Sequence, residues 1–261
     1  MKSKKTQQPG IAIDMGERSL FAVVSNIPEE RPMLIRNTLE RSRIKNIRNI
    51  AKKPSPKLDK ELAFLNNYIL SRCQFLVNYC NEKGIRTLAL GNRSVKNPYK
   101  VRYKSLRDNP YLNITLHLVN ALRFLCSLAG IEVKLADESF TSQIDALALE
   151  SIEYNGTKRF RRKSRPGHLR GKQYMSSSGN LLDRDINAAI NIGRIIFGDH
   201  FADTILENKL WKEPVIPVFP EKQDQQRIPV KIATELSFRN SRLLFPQEKE
   251  DLFSNEYHLI N

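Results

Sequence analysis

Ile11-Ala12-Ile13-Asp14-Met15-Gly16, continuing through Ser19-Leu20-Phe21-Ala22-Val23-Val24-Ser25, is the stretch whose reading decides the fold. Three aliphatic residues lead into one acid, and a glycine follows two positions on. A second apolar, β-branched run begins after a gap too short for any other element. This pattern predicts a buried strand, a tight turn and an antiparallel return strand. A carboxylate in such a strand is costly to bury without compensation. Asp14 therefore needs a partner. It is either a cap for the turn or a ligand for a divalent cation, a hard ion that takes carboxylate oxygens.

Met33-Leu34-Ile35 is the next candidate strand. From Asn37 to Lys57 the chain is basic, and Pro54 and Pro56 are expected to break any helix there. Leu58 to Lys83 reads as one long helix, with Leu62, Leu65, Ile69 and Leu76 near helical spacing and Gly84 as its stop. Ile85-Arg86-Thr87-Leu88-Ala89-Leu90 is a compact strand ended by Gly91-Asn92. A basic, aromatic loop follows, with Arg93, Lys96, Tyr99, Lys100, Arg102, Tyr103, Lys104 and Arg107. Tyr111 to Ala129 reads as a second helix stopped by Gly130. Ile131-Glu132-Val133-Lys134-Leu135 alternates as a strand and runs into Ala136-Asp137-Glu138-Ser139-Phe140-Thr141-Ser142.

Residues of about 140–180 form a basic insertion. Within it Lys158–Lys172 holds eight Lys or Arg and no acid, with Pro166 and Gly167, which is loop composition. Ser176-Ser177-Ser178-Gly179 reads as a flexible joint. Asp185-Ile186-Asn187-Ala188-Ala189-Ile190-Asn191-Ile192-Gly193 opens a third helix, apolar on most faces and therefore expected to be buried. Residues 199–261 are acidic and weakly periodic, and no role is assigned to them. The element order is that of an α/β protein with antiparallel strands first and crossover units after. The expectation is a ribonuclease-H-like mixed five-stranded sheet flanked by helices over residues 10–198, after a basic leader at 1–9 and before a C-terminal tail.

Composition narrows the function classes. The net charge is +15 over 261 residues, yet residues 199–261 carry 8 Lys/Arg against 11 Asp/Glu, so residues 1–198 hold +18. A basic body of this size points to a polyanionic partner, most often nucleic acid. No apolar run approaches a membrane span and the start lacks a signal peptide's apolar stretch, so a cytoplasmic location is expected. Cys73, Cys80 and Cys126 are an odd count without a CxxC pair, which argues against disulfides and against a zinc ribbon. Nothing in the sequence reports oligomeric state.

Three acids stand where such a sheet gathers side chains. Asp14 is on the first strand, Glu138 lies just past the last, and Asp185 is in the first turn of the third helix. Singly, each has a plain alternative: a turn cap, a strand-end surface acid, a partner for the helix dipole. Together, in a basic protein, three carboxylates suit two Mg²⁺ or Mn²⁺ ions that clamp the attacking and leaving oxygens of a phosphodiester. Ala188 and Ala189 would let the third helix approach the sheet closely.

IAIDMG…LFAVVSN, TLALGNRS, GIEVKLADESFTSQ and DRDINAAINI, in that order and spacing, resemble the split RuvC nuclease domain of TnpB proteins. Those are transposon-encoded, RNA-guided DNA endonucleases. The resemblance covers about residues 10–197. It implies that Asp14 is the first RuvC acid and that Asp185, in its D-x-N-A-A-x-N setting, is the third. Most members place the second acid at the end of the strand corresponding to Leu88-Ala89-Leu90, where this chain has Gly91. A subgroup carries E-S-[YF]-T-S after the next strand, and Glu138-Ser139-Phe140-Thr141-Ser142 fits that pattern. If the two strands are neighbours the shift is about 4.8 Å sideways, and Gly91 leaves room for Glu138 to reach in. Asp137 and Asp183 are the competing assignments.

Two departures from the family stand out. The zinc ribbon common in its target-binding segment is absent, since no Cys follows Cys126, and no zinc is expected. The Lys158–Lys172 segment takes its place, with Arg159, Arg161, Arg162, Lys163, Arg165, Arg170 and Lys172 as candidate backbone contacts, or as a disordered basic loop. The long amino-terminal lobe that grips guide RNA has no counterpart in the nine residues before Gly10, so a truncated chain is expected. DNA is the expected partner, with guide RNA where that lobe is present. Two functions stay open: a divalent-metal-dependent DNA endonuclease, and a nuclease-inactive nucleic-acid-binding remnant. An actin-like ATPase is disfavoured, because that fold needs a second Asp-x-Gly loop and this chain has none.

Overall fold

Alternating apolar strands bounded by glycines and prolines fold into a mixed sheet with helices packed against it. The structure, a computed structural model, describes residues 8–16, 18–39, 47, 55–91, 114–138, 141–152, 168–170 and 172–219. The chain divides into two compact units, Met1–Leu39 with Arg72–Phe219, and Glu40–Ser71 with Pro220–Asn261. Strands β1 (Gly10–Asp14), β2 (Ser19–Ser25), β3 (Met33–Arg36), β4 (Thr87–Gly91) and β5 (Glu132–Ala136) form one sheet in the order β3-β2-β1-β4-β5. β1 pairs antiparallel with β2, and β2 with β3, while β4 runs parallel to β1 and β5 parallel to β4. A three-stranded antiparallel meander whose first strand is followed by two parallel crossovers is the ribonuclease-H-like arrangement expected from the sequence.

Helix α1 spans Pro56–Glu82 and α2 spans Ile114–Leu128. Pro56 opens α1 instead of breaking a helix. The Ser55 hydroxyl accepts from Leu58 N at 3.2 Å and so caps the first turn, where a proline's missing N–H is no loss. The first part of α1 belongs to the second unit, and there Leu65, Tyr68 and Ile69 are buried. α3, Arg184–Phe197, lies on the sheet of the first unit, against β1, β2, β4 and β5.

The close approach of α3 follows from side-chain size. Side chains alternate across a strand, so Ala12, Ala22, Ala89 and Ala136 present small surface on the face that α3 covers. Ala189, Ile186, Ile190 and Ile192 fill that interface from the helix. Ile11, Ile13, Phe21, Ile35, Leu88 and Leu90 point the other way and are equally buried. The sheet is therefore covered on both faces, as a sheet with parallel crossovers requires.

Residues just past α3 pack as part of the same core. Phe201, Ile205 and Trp211 belong to the cluster that α3 makes with the sheet. An added Cβ on Gly193 would collide with the Phe201 ring, so only glycine fits that turn of the helix. Val215 pairs with the edge strand β3, donating to Pro32 O at 2.7 Å and accepting from Leu34 N at 2.8 Å. An exposed edge is thereby closed. The compact unit runs to Phe219, beyond the boundary at 198 drawn from the sequence. Among the described residues no helix is long and apolar enough to cross a membrane.

Cys73, Cys80 and Cys126 are free and buried, and Cys73 Sγ donates to Leu118 O at 3.7 Å, tying α1 to α2. Burial pushes the thiols of Cys80 and Cys126 up from 9.0 to about 12, and Cys73 higher still. In the unfolded chain these thiols lose protons from about pH 9, while the folded chain retains them. Stability should therefore hold below pH 9 and fall as pH rises from 9 toward 12. Thermal melts between pH 7 and 10.5 check this, and a thiol reagent at pH 8 should label these cysteines only after unfolding.

Candidate functional site

Three carboxylates approach one end of the α3 face from different elements. Asp14 ends β1 two residues after Ala12 and so shares the face that α3 covers. Its neighbour across the parallel ladder is the end of β4, since Ile13 is in register with Leu90. Glu138 follows β5, whose Ala136 is in register with Gly91. Its side chain turns back over β4: an added Cβ on Gly91 would collide with Glu138 Oε2 and lie 3.1 Å from its Cδ. The space that Gly91 leaves open is thus the space the Glu138 carboxylate occupies, as the strand-to-strand relocation requires. Asp14, Glu138 and Asp185 are all half-buried.

Asp185 and its neighbour divide two roles at the start of α3. Asp183 is the N-cap: its Oδ1 accepts from Asp185 N at 2.9 Å, and its Oδ2 lies 3.5 Å from Arg36 Nη2. Capping and ion pairing occupy Asp183, which makes it a structural residue. Asp185 Oδ1 lies 3.9 Å from Arg184 Nε, and the side chain is 18 % exposed. Among the described residues no three His, Cys, Asp or Glu side chains stand together as a metal-ligand group. The donor chemistry of Asp14, Glu138 and Asp185 suits a hard divalent cation, and holding one in common requires the three carboxylates to draw closer.

What fixes Glu138 relative to Asp185 is a pair of buried asparagines one and two turns along α3. Asn187 Nδ2 donates to Ile144 O at 2.8 Å, and Asn191 Nδ2 donates to Thr141 O at 2.9 Å and Ile144 O at 2.8 Å. Asn187 Oδ1 accepts from Ala146 N at 3.1 Å. These bonds hold the 3₁₀ turn Thr141–Gln143 to the helix. The turn holds Glu138 in its place: Thr141 N and Oγ1 both donate to Glu138 O, at 3.1 and 2.9 Å. Arg194 completes the array, donating to Asn191 Oδ1, Glu150 O and Asp199 Oδ1. The two asparagines of D-x-N-A-A-x-N therefore position backbone, not substrate.

Asp145 is a fully buried acid that sequence reasoning passed over. Its Oδ1 accepts from Leu147 N and Ala148 N, and its Oδ2 from Ser176 Oγ at 2.9 Å and Ser177 N at 2.7 Å. Four donors satisfy a carboxylate that would otherwise be too costly to bury. The Ser176–Gly179 stretch is a tight turn, not a flexible joint, with Gly179 N donating to Ser176 O at 2.9 Å. It joins β7 (Gln173–Met175) and β8 (Leu181–Asp183), which pair with β6 (His168–Arg170) in a second small sheet. The signal for Asp145 was a serine-rich turn in need of an acceptor.

Of the candidate backbone contacts, Arg159, Arg161, Arg162, Lys163 and Arg165 lie outside the described residues, as does the loop at 93–107. Arg170 falls in β6. Lys172 is exposed and lines a recess with Arg18, Arg36, Asp183, Arg184 and Asp185.

No protein-family model and no curated protein matches the chain. Among solved structures, a Cas12f1 chain, determined by cryo-EM in a complex with sgRNA and target DNA, is similar at 18% identity and a TM-score of 0.44. The match covers 70% of this chain and 48% of that one, so this chain spans about half the length of that protein.

Two substitutions separate positioning from folding. Gly91→Ala forces the flexible end of Glu138 aside and should leave the melting temperature within a few degrees. It should weaken Mn²⁺ binding by at least about 10-fold in calorimetry, the scale of a lost outer partner of a metal ligand. Asp145→Ala removes an acceptor from four donors and should cost roughly 3 kcal/mol in denaturant unfolding.

Proposed function

We propose that this chain is a RuvC-type, divalent-metal-dependent DNA endonuclease domain of the TnpB kind, RNA-guided when joined to an amino-terminal lobe. The observation that carries it is Glu138 reaching over Gly91 beside the strand end that bears Asp14. The strand order β3-β2-β1-β4-β5 and the position of Asp185 at the head of a helix laid on the same face support it further.

Asp14, Glu138 and Asp185 would hold Mg²⁺ or Mn²⁺, and the bound metal would activate water and stabilise the oxygens of the scissile phosphodiester. The chain's own part is positional. The Asn187–Asn191 ladder sets the height of Glu138 against α3. The β1–β4 ladder sets Asp14 against Gly91. The surplus of Lys and Arg on residues 1–198 holds the phosphate backbone while the acids face the cut.

A nucleic-acid-binding remnant is the alternative, and the separation of the three acids from a closed ligand group favours it. A nicking assay on single-stranded DNA with Mg²⁺ or Mn²⁺ decides between them. Metal-dependent cleavage that falls at least about 100-fold in each of Asp14→Ala, Glu138→Gln and Asp185→Asn supports the nuclease. Metal-independent binding without cleavage by the unsubstituted chain supports the remnant.

A further inference from the structure

Four cations from three separate segments converge on one recess at the head of α3. Ser19 and Arg36 are in register across the β2–β3 ladder, and Asn37 N donates to Arg18 O at 2.8 Å, which brings Arg18 and Arg36 to the same strand end. From the small sheet, Gln173 is in register with Asp183, and Arg184 N donates to Lys172 O at 3.0 Å, which brings Lys172 beside Arg184. The recess is lined by these four side chains with Asp183 and Asp185.

The charges do not balance. Four cations face two carboxylates, and Asp183 is already engaged as the helix cap. Arg36 spends Nη1 on Ser19 Oγ at 2.8 Å and approaches Asp183 only at 3.5 Å. Arg184 stands 3.9 Å from Asp185, beyond hydrogen-bonding distance. Arg18 and Lys172 make no ion pair with any of the described residues and are exposed. Like charges held together by backbone pairing repel one another, and an anion with several oxygen acceptors removes that repulsion. Guanidinium groups match a phosphate's oxygens in geometry as well as charge.

We propose that Arg18, Arg36, Lys172 and Arg184 form a seat for a backbone phosphate of single-stranded DNA, adjacent to Asp185, which sets the register of the strand on the candidate site. That the strand is the one to be cut rests on the nuclease function proposed above; the seat itself does not. A carboxylate in the wall keeps the recess from being a general anion sink. A strand anchored here by one phosphate passes the head of α3 with its next phosphate near Asp185.

The test is fluorescence anisotropy of the full chain with a labelled single-stranded oligodeoxynucleotide, in EDTA, over a salt series. Arg18→Ala/Lys172→Ala removes two exposed charges from the recess. Lys134→Ala/Lys212→Ala removes two exposed charges elsewhere and serves as the matched control. The recess variant should bind at least about 10-fold more weakly, with a salt slope shallower by about 1.4 for two single-strand phosphate contacts. The control should stay within about twofold of the unsubstituted chain. Equal losses in both variants, or no loss in the recess variant, overturn the seat. Cleavage is scored separately: a chain that binds through the recess but never cuts keeps the seat and loses the nuclease. A chain that cuts while the recess variant binds unchanged keeps the nuclease and loses the seat.

Discussion

The approach of α3 to the sheet is the constraint on which the candidate site depends. A helix stands well clear of a sheet when large side chains lie between them. Here Ala12, Ala22, Ala89 and Ala136 on the sheet meet Ala189 on the helix, and the gap closes. With α3 drawn in, its first turn sits beside the ends of β1 and β4, and its asparagines come within reach of the segment after β5. A larger residue at any of these alanines would lift the helix and separate Asp185 from the strand that carries Asp14.

Hydrogen bonds then convert that proximity into a fixed relation. Asn187 and Asn191 are wholly buried, and each would be costly there if its amide were unmatched. Their partners are backbone groups of 141–146, a stretch with no regular ladder of its own. The helix thus lends its order to a loop, and the loop delivers Glu138. Asp145 does the same for the small sheet, tying the Ser176–Gly179 turn to the residues after the 3₁₀ turn. The recess of Arg18, Arg36, Lys172 and Arg184 is a by-product of the same order, because it exists only where β2, β3, the small sheet and α3 meet.

Long elements with strong periodicity were legible in the sequence. The β1–β2 pair, the two helices and the buried third helix each carry an apolar repeat set by local geometry. The loss of a side chain at Gly91 also pointed correctly to a neighbour entering that space. The three-residue strands β7 and β8 were not legible, because three residues are too few to show alternation against a polar background. Asp183 and Asp185 look alike in DRDINAAINI, and only cap geometry and the Arg36 pair separate them. Asp145 looked like any loop acid until its four donors, two of them some thirty residues away, were in place.

The order of apolar repeats and glycines, read from the chain alone, determined the mixed sheet, its flanking helices and the acids available to it, because those follow from local spacing and burial. Only the tertiary structure decided that Glu138 lies over Gly91, that the asparagines hold backbone, and that four cations share one recess. Those depend on contacts between residues far apart in the chain, and such contacts form only once the sheet has set the distances between them.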